Sequence, residues 1–265
     1  MISHFVQISD TITLHYETLG ESHLPPLVLL HGLTGSAEGY SDMLQVLQDH
    51  YYCLALDLPG HGQSSKGDYP YTLDFYLDCL QSFLQRLGLE QFLLCGHSMG
   101  GQIAIRYAHQ HPHQVQTLIL LAPAGFETFT PAEVQLIKGL SALPFTGRRL
   151  SNPTIKQWIG EEGQMEVIVR SARGMLEAPV WDILPELVPP TLVIFGSKDQ
   201  LIPNPAVHRR LTTKQIALSG AKRIPKVAVR LIRDEGHFLH RSSGPLIAEL
   251  ILKHEGKVQP LQGES

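Results

Sequence analysis

The sequence predicts an α/β fold in which a mostly parallel sheet is covered by helices on both faces. Three observations predict it. Short runs rich in aliphatic and β-branched residues alternate with stretches of helical period. The runs are nearly continuous in apolar character, as expected of strands buried on both faces of a parallel sheet. Several of them end in loops rich in Gly, Asp and His, and parallel strands carry their ligand sites at that carboxyl edge. At 265 residues the chain is long enough for one large domain of this kind.

Taken in order, Phe5 to Gln7 and Ile12 to Glu17 read as an antiparallel opening hairpin with its turn at Ser9-Asp10. Leu27 to Leu30 is a buried strand, followed by a short helix around Tyr40 to Gln48 and a strand at Tyr52 to Leu56. Thr72 to Leu87 is an amphipathic helix, because Leu73, Tyr76, Leu77, Leu80, Leu84 and Leu87 recur at helical spacing. Thr72 suits its N-cap and Gly88 its stop. Phe92 to Cys95, Thr117 to Leu121, Thr191 to Phe195 and Val227 to Ile232 are further strands. Between Pro123 and Pro185 no β-rich run occurs. Helical stretches are expected there at Pro131 to Ala142, Thr154 to Glu161 and Gln164 to Glu177, with a turn at Trp181, punctuated by Pro144, Gly147, Pro153, Gly163 and Pro179.

The segment Gly96-His97-Ser98-Met99-Gly100 lies between the strand ending at Cys95 and the helical stretch Gly101 to Ala108. A strand, a G-x-S-x-G turn and a helix form a nucleophile elbow, which presents its serine above the sheet at a helix N-terminus. A serine hydroxyl needs a base, and the base needs an orienting acid. Downstream, Asp199 follows one strand and His237 follows the next, so both reach the same sheet edge as Ser98. Glu127, past the strand ending at Leu121, is a second candidate acid, and Asp199 is preferred because it sits directly in a strand-end loop. Asp234 and Glu235 are too close in sequence to His237 to reach its ring from the usual direction.

Five segments in this order and spacing resemble the α/β-hydrolase fold family. They are His31 to Gly35, Asp57 to Ser64, Gly96 to Gly101, Gly196 to Asp199, and Gly236-His237. The resemblance covers nearly the whole chain and implies an eight-stranded, mostly parallel sheet flanked by helices. It implies a core of residues 1–124 and 186–265, and a helical cap of residues 125–185 inserted after the sixth strand. It implies catalytic Ser98, Asp199 and His237, with an oxyanion hole built from the backbone N–H groups of Leu33 and Met99. His31 and His61 are then structural residues of their loops. The cap's Phe126, Phe129, Trp158, Met175 and Trp181 are candidate pocket walls, although each taken singly reads more readily as packing.

A serine esterase acting on small, apolar carboxylic esters is the reading that follows. Dienone-type carbon–carbon bond hydrolases also resemble the chain, but they usually carry Asn where this chain has His97. Cyclohexadiene-carboxylate synthases share the oxyanion-loop pattern, yet typically carry Tyr and Arg where His97 and Gln102 stand here. A small-molecule-binding descendant of the fold is the non-enzymatic alternative, and a complete triad argues against it. An inward-turned Arg148, Arg149, Arg170 or Arg173 would favour a carboxylate-bearing substrate.

The composition, 43% hydrophobic and 17% charged with net charge −4, gives no electrostatic reason to bind nucleic acid or anionic membranes. No apolar stretch approaches the ~20 residues of a membrane span, and the first residues lack the pattern of a signal peptide. Cys53, Cys79 and Cys95 read as buried free thiols, which suits a cytoplasmic protein. His109, His111 and His113 read as a surface cluster at a helix end. No cofactor and no metal is expected, and the partner is a small-molecule substrate for a monomer or homodimer.

Overall fold

The structure is a computed structural model and describes residues 1–142, 162–208 and 210–256. Eight strands form a single sheet in the order β1-β2-β4-β3-β5-β6-β7-β8. They are β1 (Ile2–Gln7), β2 (Thr13–Leu19), β3 (Pro26–Leu30), β4 (Tyr52–Leu56), β5 (Phe92–His97), β6 (Val115–Leu121), β7 (Thr191–Gly196) and β8 (Val227–Ile232). β2 runs antiparallel to both β1 and β4, and all remaining pairs are parallel. This is the architecture the sequence predicts.

The central strands β3, β4, β5, β6 and β7 are buried almost throughout, as their unbroken apolar runs require. Helices α1 (Ser41–Leu47), α2 (Leu73–Arg86) and α3 (Met99–Gln110) follow β3, β4 and β5. In α2 the expected Leu73, Tyr76, Leu77, Leu80 and Leu84 are buried, joined by Cys79 and Phe83, whereas Leu87 is half-buried at the helix C-cap. The Thr72 side chain accepts the Phe75 N–H at 3.2 Å and caps that helix. The opening hairpin is longer than its sequence pattern suggests. β1 starts at Ile2 and β2 runs to Leu19, because backbone pairing extends over residues whose side chains are partly exposed.

Between β6 and β7 the described elements are helical: α4 (Pro131–Ala142), α5 (Glu162–Glu177) and a 3₁₀ turn at Trp181–Glu186. The expected stretch Thr154 to Glu161 lies outside the described residues. α5 docks on the core through Val167, Ser171 and Gly174. The Ser171 hydroxyl meets the Tyr76 hydroxyl at 2.8 Å, and Gly174 lies against the Tyr71–Thr72 backbone. The Gln102 side-chain amide, from the first turn of α3, donates to Met175 O at 3.0 Å and Ala178 O at 2.9 Å. Those carbonyls are acceptors that a helix C-terminus leaves without intrahelical partners. After β7 come α6 (Thr213–Ala221), α7 (Leu239–Ser242) and α8 (Gly244–His254).

One tight junction in this fold is where α3 starts against the end of β3. A Cβ on Gly100 would fall 2.2 Å from Leu30 O and 2.6 Å from His31 O. Both obstacles are backbone, so neither can swing aside. Gly100→Ala is expected to cost about 3 kcal/mol or more of unfolding free energy. Gly139, inside α4 with nothing within 4 Å of its Cβ position, should behave oppositely: Gly139→Ala should be neutral or gain up to ~1 kcal/mol through helix propensity. Urea midpoints of the two variants check the pair.

Candidate active site

Ser98 links β5 to α3 with φ 52° and ψ −114°. A non-glycine residue rarely adopts a positive φ, and here the surroundings hold it. Its N–H donates to Leu121 O at 3.0 Å, and its carbonyl accepts from Gln102 N at 3.1 Å and Ala124 N at 3.0 Å. A Cβ on Gly96 would fall 2.3 Å from Gly100 O. The two glycines therefore let the chain reverse around the serine, and the Ser98 side chain is left half-buried.

The loops after β7 and β8 bring Asp199 and His237 to the same place. His237 Nε2 lies 3.0 Å from Ser98 Oγ, and His237 Nδ1 lies 2.8 Å from Asp199 Oδ2. Asp199 Oδ1 accepts the Leu201 N–H at 2.8 Å and the Ile202 N–H at 2.9 Å. A carboxylate oxygen accepts, so the 2.8 Å contact puts the proton on Nδ1 of His237, and Nε2 offers a lone pair to the serine hydroxyl. Asp199 and His237 are both buried, which limits competition from water for these bonds. His97 adds a support: its Nε2–H donates to His237 O at 2.9 Å.

The loop after β3 presses on the serine. A Cβ on Gly32 would fall 2.8 Å from His97 Nδ1 and 3.0 Å from Ser98 Cβ. The Gly32 carbonyl is pinned by the Gly35 N–H at 2.9 Å and by His31 Nδ1–H at 2.7 Å. Across a trans peptide the N–H points opposite to the carbonyl, so this clamp also aims the Leu33 N–H. His31 Nε2 accepts the Leu58 N–H at 3.0 Å, and His61 Nε2–H donates to Leu33 O at 2.6 Å. Met99 supplies the first amide of α3. Among the described residues neither the Leu33 nor the Met99 N–H donates a hydrogen bond.

Other expected residues are placed differently. Glu127 does not meet His237. Its Oε1 accepts from His208 Nδ1 and from the Asn204 N–H, both at 2.7 Å. Phe126, expected at a pocket wall, is a core residue only 1% exposed, wedged between Phe195 and Gly220. Phe129 stacks on His208 at 5.2 Å. Trp181 packs on the core and carries the Arg223 guanidinium 4.8 Å above its ring. Met175 is half-buried against the core, and Trp158 lies outside the described residues. A small cleft beside the loop after β3 is instead lined by Leu33, Thr34, His61, Val167 and Ile168. The α5 residues Val167 and Ile168 gave no sequence signal for that position, because only the docking of α5 brings them there. Arg170 turns outward to Asp68, Tyr69 O and Glu166. His109 pairs with Glu186, and the three cysteines are buried and free. Among the described residues no helix is long and apolar enough to cross a membrane.

An elbow serine, a histidine and an acid at the carboxyl edge of an eight-stranded sheet define a class of fold, and the comparisons agree with it. The family described as alpha/beta hydrolase fold matches residues 25–169, and the chain belongs to that family. It is 29% identical over 194 residues to the monoacylglycerol lipase abhd6-B of Xenopus laevis, covering 71% of this chain and 52% of the lipase. The chain thus spans about half the length of that relative. It is 31% identical over 161 residues to the (E)-2-((N-methylformamido)methylene)succinate hydrolase of Acinetobacter baylyi, covering 61% of this chain and 60% of the relative. A thermophilic esterase from Thermogutta terrifontis has the same fold, with TM-score 0.78, 23% identity and coverage of 98% of this chain and 100% of that one.

The residues behind the site have a pH consequence. Burial pushes His31 and His240 down to about 3 and also lowers His61 and His97. These histidines are neutral in the native state and take up protons on unfolding below pH ~6.5. The unfolded chain then binds more protons, so stability is complete above that value and falls as the pH drops towards 3. The slope is up to about 1.4 kcal/mol per pH unit for each such histidine. Thermal unfolding followed from pH 8 to pH 5 should show a level Tm down to about 6.5 and a steep decline below. A Tm unchanged down to pH 5 would contradict it.

Proposed function

We propose that the protein is a serine hydrolase of carboxylic esters, with Ser98 as nucleophile, His237 as general base and acid, and Asp199 as the group that orients His237. One observation carries this reading: the unbroken chain from Ser98 Oγ through His237 to Asp199, at 3.0 and 2.8 Å. Ser98 Oγ attacks the ester carbonyl while its proton passes to His237 Nε2. The oxyanion is received by the Leu33 and Met99 N–H groups, which have no other acceptor among the described residues. The alcohol leaves with the proton from His237. Water, deprotonated by the same nitrogen, then releases the acid from Ser98. Every group in the cycle is protein or substrate, and no cofactor takes part.

The segment 125–185 is proposed to act as a helical cap over residues 1–124 and 186–265. Val167 and Ile168 beside Leu33 support this, as does the pair of bonds from Gln102 to the end of α5. Neutral acyl groups of short to medium length suit such a site, since an unpartnered charge is costly to bury. The proposed setting is a cytoplasmic small-molecule hydrolase, working as a monomer or homodimer. A carboxylate-bearing substrate is the second reading. It is favoured by the Nε of Arg173 on α5, buried without a hydrogen-bond partner, and by the succinate derivative in the name of the Acinetobacter relative.

Ser98→Ala is expected to lower kcat/KM for p-nitrophenyl butyrate by at least about three orders of magnitude. Asp199→Asn should cost up to about four, through loss of the tautomer that exposes Nε2. Glu127→Gln should be far milder, and the reverse ranking would assign the acid to Glu127.

Across acetate, butyrate, hexanoate and octanoate esters, kcat/KM should rise up to about fourfold per buried methylene, from ~0.8 kcal/mol each, until the cavity is full. A flat, near-zero profile beside clear turnover of an acidic substrate would favour the second reading.

A further inference from the structure

Away from Ser98, the other end of the sheet carries a second hydrogen-bond chain of the same connectivity. β1 is the edge strand, and its register sets Ser3 opposite Glu17 and Phe5 opposite His15. The two-residue period of a strand puts Ser3, Phe5, His15 and Glu17 on one face. There Ser3 Oγ lies 2.7 Å from His15 Nε2, and His15 Nδ1 lies 2.7 Å from Asp57 Oδ2. His15 and Asp57 are 1% and 2% exposed, whereas Ser3 is open to solvent.

The protons can be placed as they were around His237. Asp57 Oδ1 accepts the Ala37 N–H at 2.7 Å, and Oδ2 accepts the Gln63 N–H at 2.8 Å as well as the bond from His15. Gly62 lets the loop wrap this carboxylate, since a Cβ there would fall 1.9 Å from Asp57 Oδ2. A carboxylate oxygen accepts, so the 2.7 Å contact puts the proton on His15 Nδ1, and Nε2 is a lone pair facing the Ser3 hydroxyl. The Gln63 side-chain amide stands 3.3 Å from the same nitrogen. A strut between β2 and the Asp57 loop needs only His15 and Asp57. The exposed hydroxyl on the far nitrogen is what gives the chain chemistry.

We propose that Ser3 is a second, base-assisted nucleophile, an acyl-acceptor site for small activated esters, with His15 as its base and Asp57 holding His15 in place. Ser3 Oγ bonds to the acyl carbon as the bond from that carbon to the leaving oxygen breaks. The Ser3 proton passes to His15 Nε2 and on to solvent, and an aryl oxide leaves as the anion. Hydrolysis reverses the roles: His15 Nε2 takes a proton from water as that water attacks the acyl carbon, the bond to Ser3 Oγ breaks, and His15 passes the proton to that oxygen. The Ser98 site has two backbone amides near the nucleophile, whereas the Gln63 amide beside Ser3 faces His15 Nε2 and competes with the Ser3 hydroxyl for its lone pair, so the Ser3 reaction is the slower and the less selective.

The experiment uses the full chain carrying Ser98→Ala, which makes its outcome independent of the proposed ester hydrolase activity. The protein is treated with p-nitrophenyl acetate, and acetylated serines are mapped by peptide mass spectrometry before and after hydroxylamine, which removes O-acetyl but not N-acetyl groups. General-base assistance contributes about 10²–10⁴-fold, so Ser3 should be O-acetylated about a hundredfold faster than the exposed Ser9 and Ser22. In a Ser98→Ala/His15→Gln protein with a native circular dichroism spectrum, Ser3 should fall to their rate. Acetylation of Ser3 no faster than Ser22, or undiminished by His15→Gln, would overturn the proposal. If the double variant does not fold, the ratio of Ser3 to Ser22 in Ser98→Ala decides alone.

Discussion

At Ser98 a non-glycine residue is held at φ 52°, and this strained turn sets the terms for everything around it. A residue in that region persists only where its surroundings over-determine it. Here β5 ends between β3 and β6, and α3 starts within van der Waals contact of the Leu30 and His31 carbonyls. The turn therefore depends on Gly96 and Gly100, on the tight apposition of β3 and β5, and on bonds from the Ser98 backbone to Leu121, Gln102 and Ala124. The whole central sheet acts as the clamp that keeps one hydroxyl raised at its edge.

Around that turn, histidines do the work of orientation. His97 holds the carbonyl of His237, His31 holds the carbonyl of Gly32, and His61 holds the carbonyl of Leu33. Each is buried and kept neutral by burial. A neutral imidazole suits this task because it offers a donor on one side and an acceptor on the other. His31 uses both at once, donating to Gly32 O and accepting from Leu58 N. Replacing such a ring with an apolar one would leave buried backbone groups unpaired, at a cost of about 1–3 kcal/mol each. This network makes the site rigid and the native state acid-sensitive for the same physical reason.

Much of this was legible in the residues. Strong periodicity marked α2, unbroken apolar runs marked the central strands, and the G-x-S-x-G turn with strand-end Asp199 and His237 marked the site. What was not legible depends on packing between distant segments. Phe126 reads as a pocket aromatic from its place after β6, yet its ring fills the space that Gly220 leaves on α6. Val167 and Ile168 reach the loop after β3 only because Gly174 lets α5 approach the Tyr71–Thr72 backbone. The Ser3–His15–Asp57 chain has no local motif, since it joins two strands and the loop after β4 through the register of β1 and β2.

Comparing the two Ser-His-Asp chains separates what such a chain needs from what surrounds it. Both arise where a strand's residues meet a carboxylate wrapped by backbone N–H groups, and a polar sheet end can supply that without selection for catalysis. A lone-pair nitrogen beside a hydroxyl gives base assistance and nothing more. Ser98 differs in standing at the N-terminus of a twelve-residue helix, with the clamped Leu33 loop beside it. Those features place fixed dipoles where negative charge would develop, usually the largest single source of rate. In the proposed chemistry the difference between the chains therefore lies in the β3 loop and the start of α3, and that would make His31 and Gly100 as much a part of it as the residues that would exchange the proton.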